Sequence, residues 1–113
     1  MEAIILKIIH LYQNWKENLD LSYSDISDIS FLEKNKNIKV LDLQQCYYIK
    51  DYSFISKLEK IENLILYFTC IDDISFLEKN KNIKELDLSE CENIKDFSFI
   101  SNLEKNKNIN IIK

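Results

Sequence analysis

Pairs of aliphatic residues separated by one polar residue recur along the chain at Leu19-Leu21, Leu41-Leu43, Leu64-Leu66, Leu86-Leu88 and Ile109-Ile111. Residues two apart on an extended chain point to the same side, so each pair predicts a short β-strand with one buried face. The first members of the pairs lie 22, 23, 22 and 23 residues apart. Three positions after the second aliphatic stands a small residue: Ser24, Cys46, Thr69 or Cys91. Then follow Ile26, Ile49, Ile71 or Ile94 and, two further on, Asp28, Asp51, Asp73 or Asp96. One phenylalanine per unit comes next (Phe31, Phe54, Phe76 and Phe99), predicting an aromatic spine behind the strands. Segments 30–34, 53–60, 75–79 and 98–105 predict short helical or 3-10 connections, with Ser or Asp starts suited to N-caps. Before the first strand, Ile4, Ile5, Ile8, Leu11, Tyr12 and Trp15 fall on one helical stripe and predict a helix over residues 2–16.

The units repeat in pairs. Residues 26–63 align with 71–108 at an offset of 45, with 28 of 38 positions identical. One such unit cannot bury its apolar face alone, whereas stacked units share one continuous interior and lay their strands in parallel. The register of the last unit has two readings. Either Ile109 continues the 23-residue step, or 103–109 aligns with 32–38 and the last strand moves by three residues.

Composition narrows the chemistry. The 113 residues suffice for one domain with a core, and 46% are hydrophobic. Gly and Pro are absent, which excludes Gly-rich phosphate loops and nucleophile elbows and leaves turns to Asn, Asp and Ser. All 15 basic residues are Lys and the net charge is -4, so neither nucleic acid nor bidentate phosphate recognition is expected. Cys46, Cys70 and Cys91 show no CxxC spacing, so neither a zinc site nor a disulfide framework is expected. A reducing, cytoplasmic setting is expected on that ground. Cys46 and Cys91, two turns apart, should sit about 10 Å from each other, too far for a disulfide, while Cys70 beside them is more exposed. Lys7 interrupts the apolar N-terminus and no small-residue cleavage site follows, so a signal peptide is not expected. No apolar run reaches the roughly 20 residues of a membrane span. No nucleophile–base pair, metal cluster or pocket-forming motif marks an enzyme, and no cofactor is implied.

The segments 38–46 (Ile-Lys-Val-Leu-Asp-Leu-Gln-Gln-Cys) and 83–91 (Ile-Lys-Glu-Leu-Asp-Leu-Ser-Glu-Cys) resemble the L-x-x-L-x-L-x-x-[NC] core of the leucine-rich-repeat family. The unit length and the Ile-x-Asp-Ile-Ser-Phe-Leu connection are similar to its internalin-like and phosphatase-regulator-like subtypes. Cys in place of the ladder Asn resembles the cysteine-containing subtype. The resemblance implies an α/β fold: a right-handed solenoid over 18–113, with a parallel sheet on the concave face and helical or 3-10 connections on the convex face. Residues 1–17 would then cap the open N-terminal end or, as the competing reading, offer a docking helix. The family's usual role implies a protein-binding scaffold.

On such a sheet, the residues flanking the inward pair face outward. Asp20, Asp42 and Asp87 form an acidic column, accompanied by Val40, Gln44 and Glu85. The third strand interrupts it with Ile65, Tyr67 and Phe68, apolar where its neighbours are polar. Solvent-facing aromatics suit interface anchors. The competing reading folds Phe68 into the turn and lays Tyr67 flat. These nine residues are the expected contact set for a basic or amphipathic protein partner. Lys34, Lys36, Lys39, Lys79, Lys81, Lys84, Lys105 and Lys107 form a basic stripe, read as a solvated rim. A second possibility is a homodimer through an uncapped C-terminal edge around 109–112.

Overall fold

In the computed structural model, residues 17–106 and 109–113 are described. The expected helix over 2–16 and its capping role lie outside them. Five strands, β1 (Asn18–Asp20), β2 (Val40–Asp42), β3 (Asn63–Ile65), β4 (Glu85–Asp87) and β5 (Asn110–Ile112), form one sheet in chain order. Every pairing is parallel, with Leu19, Leu41, Leu64, Leu86 and Ile111 in register along one row. Parallel neighbours need a crossover, and here each is a short connection running behind the sheet. Three are 3-10 segments, Ser30–Lys34, Ser53–Lys57 and Ser75–Lys79, and the fourth is the α-helix α1, Ser98–Asn106.

The alternation follows the sequence pattern. The middle residue of β1 to β4 is buried and its neighbours are half-buried or exposed. Leu41, Leu43, Leu64, Leu66, Ile38, Ile49, Leu32, Ile55 and Leu58 are fully enclosed, each 0% exposed. Stacked turns therefore share a single apolar interior, in which burial of each Leu or Ile contributes roughly 1.5–3 kcal/mol. The phenylalanines Phe31, Phe54, Phe76 and Phe99 pack half-buried against this core.

The last strand falls between the two registers expected from sequence. Ile111, rather than Ile109 or Ile112, pairs with Leu86, a step of 25 residues (111 minus 86). An α-helix rises about 1.5 Å per residue against about 2.0 Å for a 3-10 helix. The α1 crossover therefore uses more residues to cover the same distance, and the strand arrives later in the chain.

Turn chemistry also departs from expectation. Asn, Asp and Ser do not occupy the left-handed backbone positions after the strands. Tyr23, Gln45, Phe68 and Glu90 do, with φ of 60°, 57°, 55° and 59°. Asp residues instead pin these turns from the side. The Ser22, Gln44 and Ser89 amides donate to the Oδ1 atoms of Asp20, Asp42 and Asp87 at 2.9, 3.0 and 2.9 Å. The same device opens the connections, where the Ser30, Ser53, Ser75 and Ser98 amides donate to Asp28, Asp51, Asp73 and Asp96 at 2.8–2.9 Å. The expected Ser or Asp N-caps are not found in the 3-10 segments: Ile29, Tyr52 and Ile74 hold the N-cap positions without a side-chain capping bond, Ser begins each segment, and Asp two residues before that Ser supplies the acceptor.

Two polar ladders tie the coils together. Cys46 and Cys91 are buried, and their thiols donate to the Leu21 and Leu66 carbonyls, each at 2.9 Å. Each also lies beside a hydroxyl of the preceding coil, Ser24 Oγ at 3.7 Å and Thr69 Oγ1 at 3.6 Å. Burial pushes the Cys46 thiol above its ordinary pKa, against the lowering effect of Ser24. On the opposite side, Asn80 is 3% exposed and its Nδ2 donates to the Ile55 and Leu58 carbonyls of the coil before, at 3.0 and 3.1 Å.

Candidate functional site

The parallel register arranges the outward side chains of the sheet in rows. Val40, Asn63, Glu85 and Asn110 form one, and Asp20, Asp42, Ile65, Asp87 and Ile112 form the next. Hydrogen bonding continues beyond the strands. The Tyr23, Gln45 and Phe68 amides donate to the carbonyls of Gln44, Tyr67 and Ser89 at 2.9, 2.9 and 3.0 Å. This extends the flat face by a further row of Ser22, Gln44, Tyr67 and Ser89, before the left-handed residues turn the chain away.

A shallow hollow of about 490 Å³ opens on this face, lined by Gln44, Asn63, Ile65, Tyr67, Glu85, Leu86, Asp87, Ser89 and Ile112. Its cause is local. Row neighbours of Ile65 are carboxylates that fold back to their own turns, whereas Ile65 has no oxygen to offer and leaves a low apolar floor between Asp42 and Asp87. Ile112, 50% exposed, stands on the other side of Asp87 at the edge of the sheet. Asp87 is held rigidly, its Oδ1 accepting from the Ser89 amide at 2.9 Å and the Ser89 hydroxyl at 2.6 Å. Asp42 is similarly fixed through Gln44, whose Nε2 donates to Oδ2 at 3.1 Å.

The nine expected contact residues divide. Ile65, Tyr67, Gln44, Glu85 and Asp87 converge on the hollow. Val40 and Asp42 lie on β2 and Asp20 on β1, on the same face but outside it. Phe68 is not in the hollow. It occupies a left-handed turn position, is 37% exposed, and joins an aromatic rim along the turn edge. Tyr47 meets it edge-on with centroids 5.3 Å apart, and Tyr67 does so at 5.9 Å. Tyr23 (66% exposed) and Tyr48 (60%) extend the rim. The Tyr23 hydroxyl reaches Gln44 Oε1 at 3.4 Å.

Sequence reading missed Ile112 and the Tyr47-Tyr48 pair. The signal for the tyrosines was present, since the sibling unit has Glu92-Asn93 at the same place. For Ile112 it was not, because its row depends on the α1 step. The expected basic stripe is partly neutralised between coils, with Lys39 paired to Glu17 at 3.6 Å and Lys84 to Glu62 at 3.3 Å. Among the described residues no group of three or more His, Cys, Asp or Glu is placed to hold a metal ion, and no helix is long and apolar enough to cross a membrane.

A single all-parallel sheet with one short crossover per 22 to 25 residues defines a leucine-rich-repeat fold. Solved structures agree. The chain is similar to an internalin (inlF) from Listeria monocytogenes, with a TM-score of 0.72 and 29% identity over 83% of this chain. It is also similar to internalin C2 (inlC2) from the same organism, with a TM-score of 0.69 and 23% identity over 93% of this chain. The chain spans 26% of the first and 54% of the second. No protein-family model matches the sequence, and no curated protein matches it.

Proposed function

We propose that this protein is a non-catalytic binding module that holds a basic or amphipathic protein segment across the outward face of its sheet. The hollow carries this reading: the apolar Ile65 and Ile112 lie on either side of Asp87, and the Tyr67 ring and Glu85 share the same lining. Aromatic anchors near the middle of a polar patch are common at interfaces. The solenoid architecture of the internalin structures supports the same class of role. Val40, Asp42 and Asp20 then extend the contact along β2 and β1, and Phe68 with Tyr47 forms its rim. A right-handed winding, with this face concave, accords with the general handedness of parallel crossovers. Three free thiols, two of them buried, suit a reducing cytoplasmic setting.

The test is affinity capture from the native host with the chain and a Tyr67→Ala/Ile65→Ser double variant, compared after both are shown to melt cooperatively. Loss of a specific retained protein in the variant supports the reading; identical capture profiles refute it.

A second reading is favoured by β5, whose central Ile111 is only half-buried while Ile112 is 50% exposed. Two copies could pair along that edge. Light scattering should then show mass rising from monomer to dimer with concentration, and an Ile112→Lys variant should stay monomeric. A concentration-independent monomer excludes this pairing.

A further inference from the structure

The hollow has a directional charge. Its lining carries the carboxylates of Glu85 and Asp87 and, among the described residues, no cationic side chain. The lysines nearest in sequence to β4 and β5 are engaged elsewhere, Lys84 with Glu62 at 3.3 Å and Lys113 with Glu104 at 3.1 Å. Glu85 and Asp87 sit two residues apart on the same side of one strand, about 6.6 Å along it. Ser89 locks the Asp87 carboxylate through Oδ1 and leaves Oδ2 for a visitor. Tyr67 stands in the next row, and its ring is braced by Phe68, which Tyr47 contacts in turn. Ile65 and Ile112 are apolar residues of the hollow, one on each side of Asp87.

We propose that this hollow receives an arginine side chain of an extended partner segment, the guanidinium lying against Tyr67 and bridging Glu85 and Asp87. The inference rests on the reading of this face as a protein-binding surface and names what that surface selects. A long cationic side chain matches each wall at once. Its methylenes cover Ile65 beside Asp87, as amphipathic stems do. Its charge meets two carboxylates, Asp87 held by Ser89 and Glu85 beside it on the same strand, and its plane stacks on the Tyr67 ring. Arginine fits better than lysine because a planar fork can serve two carboxylates and a ring together, whereas an ammonium is a strongly hydrated point charge.

The experiment is fluorescence anisotropy with a labelled peptide of alternating leucine and arginine, beside analogues carrying citrulline or lysine in place of arginine. Variants are Glu85→Gln, Asp87→Asn and Tyr67→Ala. Asn at 87 keeps an oxygen for the Ser89 amide, so the turn survives, and circular dichroism checks the fold. The arginine peptide should bind, and citrulline, Glu85→Gln or Asp87→Asn should each weaken it by about tenfold or more. Arginine and citrulline peptides bound equally, both lost in Tyr67→Ala, would overturn the guanidinium assignment and leave the binding face intact. Lysine bound as tightly as arginine would also overturn it. Failure of all three peptides to bind would overturn the arginine assignment, while the binding face itself is decided by the capture comparison with the Tyr67→Ala/Ile65→Ser variant.

Discussion

Tyr52 shows how a single side chain can be mismatched to its place in a repeat. It is 4% exposed, at the position held by Ile29 and Ile74 in neighbouring coils and Phe97 in the sibling unit. Its hydroxyl is buried beside Thr69 and Cys70 without a well-formed hydrogen bond to either, and burial pushes its pKa up to about 12 against the weaker lowering effect of those two neighbours. A buried hydroxyl without a well-formed hydrogen bond costs up to roughly 1–3 kcal/mol, while the ring itself fills the core. Tyr52→Phe should therefore raise stability by about 1 kcal/mol in urea denaturation, whereas Tyr52→Ala should lower it by roughly 3–5 kcal/mol. The alkaline limb gives an independent check. A phenol harder to ionise when folded contributes stability below its unfolded pKa near 10, lost as pH rises toward about 12. The Phe variant should lack that loss. If it is less stable than the parent at neutral pH, the hydroxyl is in use and this account is wrong.

The connections obey a rule that repeats four times. Asp28, Asp51, Asp73 and Asp96 each accept from the serine two residues on, and these hydrogen bonds hold their carboxyls below the ordinary value of 3.8. A carboxyl with a depressed folded pKa stabilises the fold above its unfolded value and loses that contribution as pH falls through the folded one. Thermal melts should therefore show a midpoint that drops below about pH 3.8. Replacing Asp51 and Asp73 by Asn, which retains the acceptor without the charge, should flatten that drop; an unchanged acid profile would assign it to other carboxyls. This level was the most legible in sequence. The L-x-L pairs, the 3-10 segments and the buried Cys46 and Cys91 all follow from spacing, because each unit repeats the same environment. What sequence could not supply depended on geometry between coils. Propensity gave no reason for Tyr23, Gln45, Phe68 and Glu90 to take positive φ, which the turn imposes because the ladder of hydrogen bonds continues through it. Spacing alone also could not separate Tyr67, in the hollow, from Phe68, on the rim, since adjacent residues at a left-handed turn point in unrelated directions.

At the scale of the whole molecule, stability should be graded along the stack. Each coil touches only its neighbours, so a residue's contribution depends on how many coils enclose it. Leu64 on the central strand is 0% exposed and flanked by β2 and β4, while Ile111 on β5 is half-buried and has a described neighbour on one side only. Leu64→Ala leaves a cavity that coils on both sides border, and should cost about 3–4 kcal/mol. Ile111→Ala removes fewer contacts, and the strand around it can fray before the rest unfolds, so its cost should be nearer 1 kcal/mol. Amide hydrogen exchange should mirror this, with protection greatest in β2 and β3 and weakest in β5. If both substitutions cost the same and all strands exchange together, the chain unfolds as one indivisible unit. Its coils would then be coupled too strongly for nearest-neighbour addition, and the hollow at the β4–β5 end would be as rigid as the centre. With graded stability, that hollow instead lies where the sheet yields most easily to a partner.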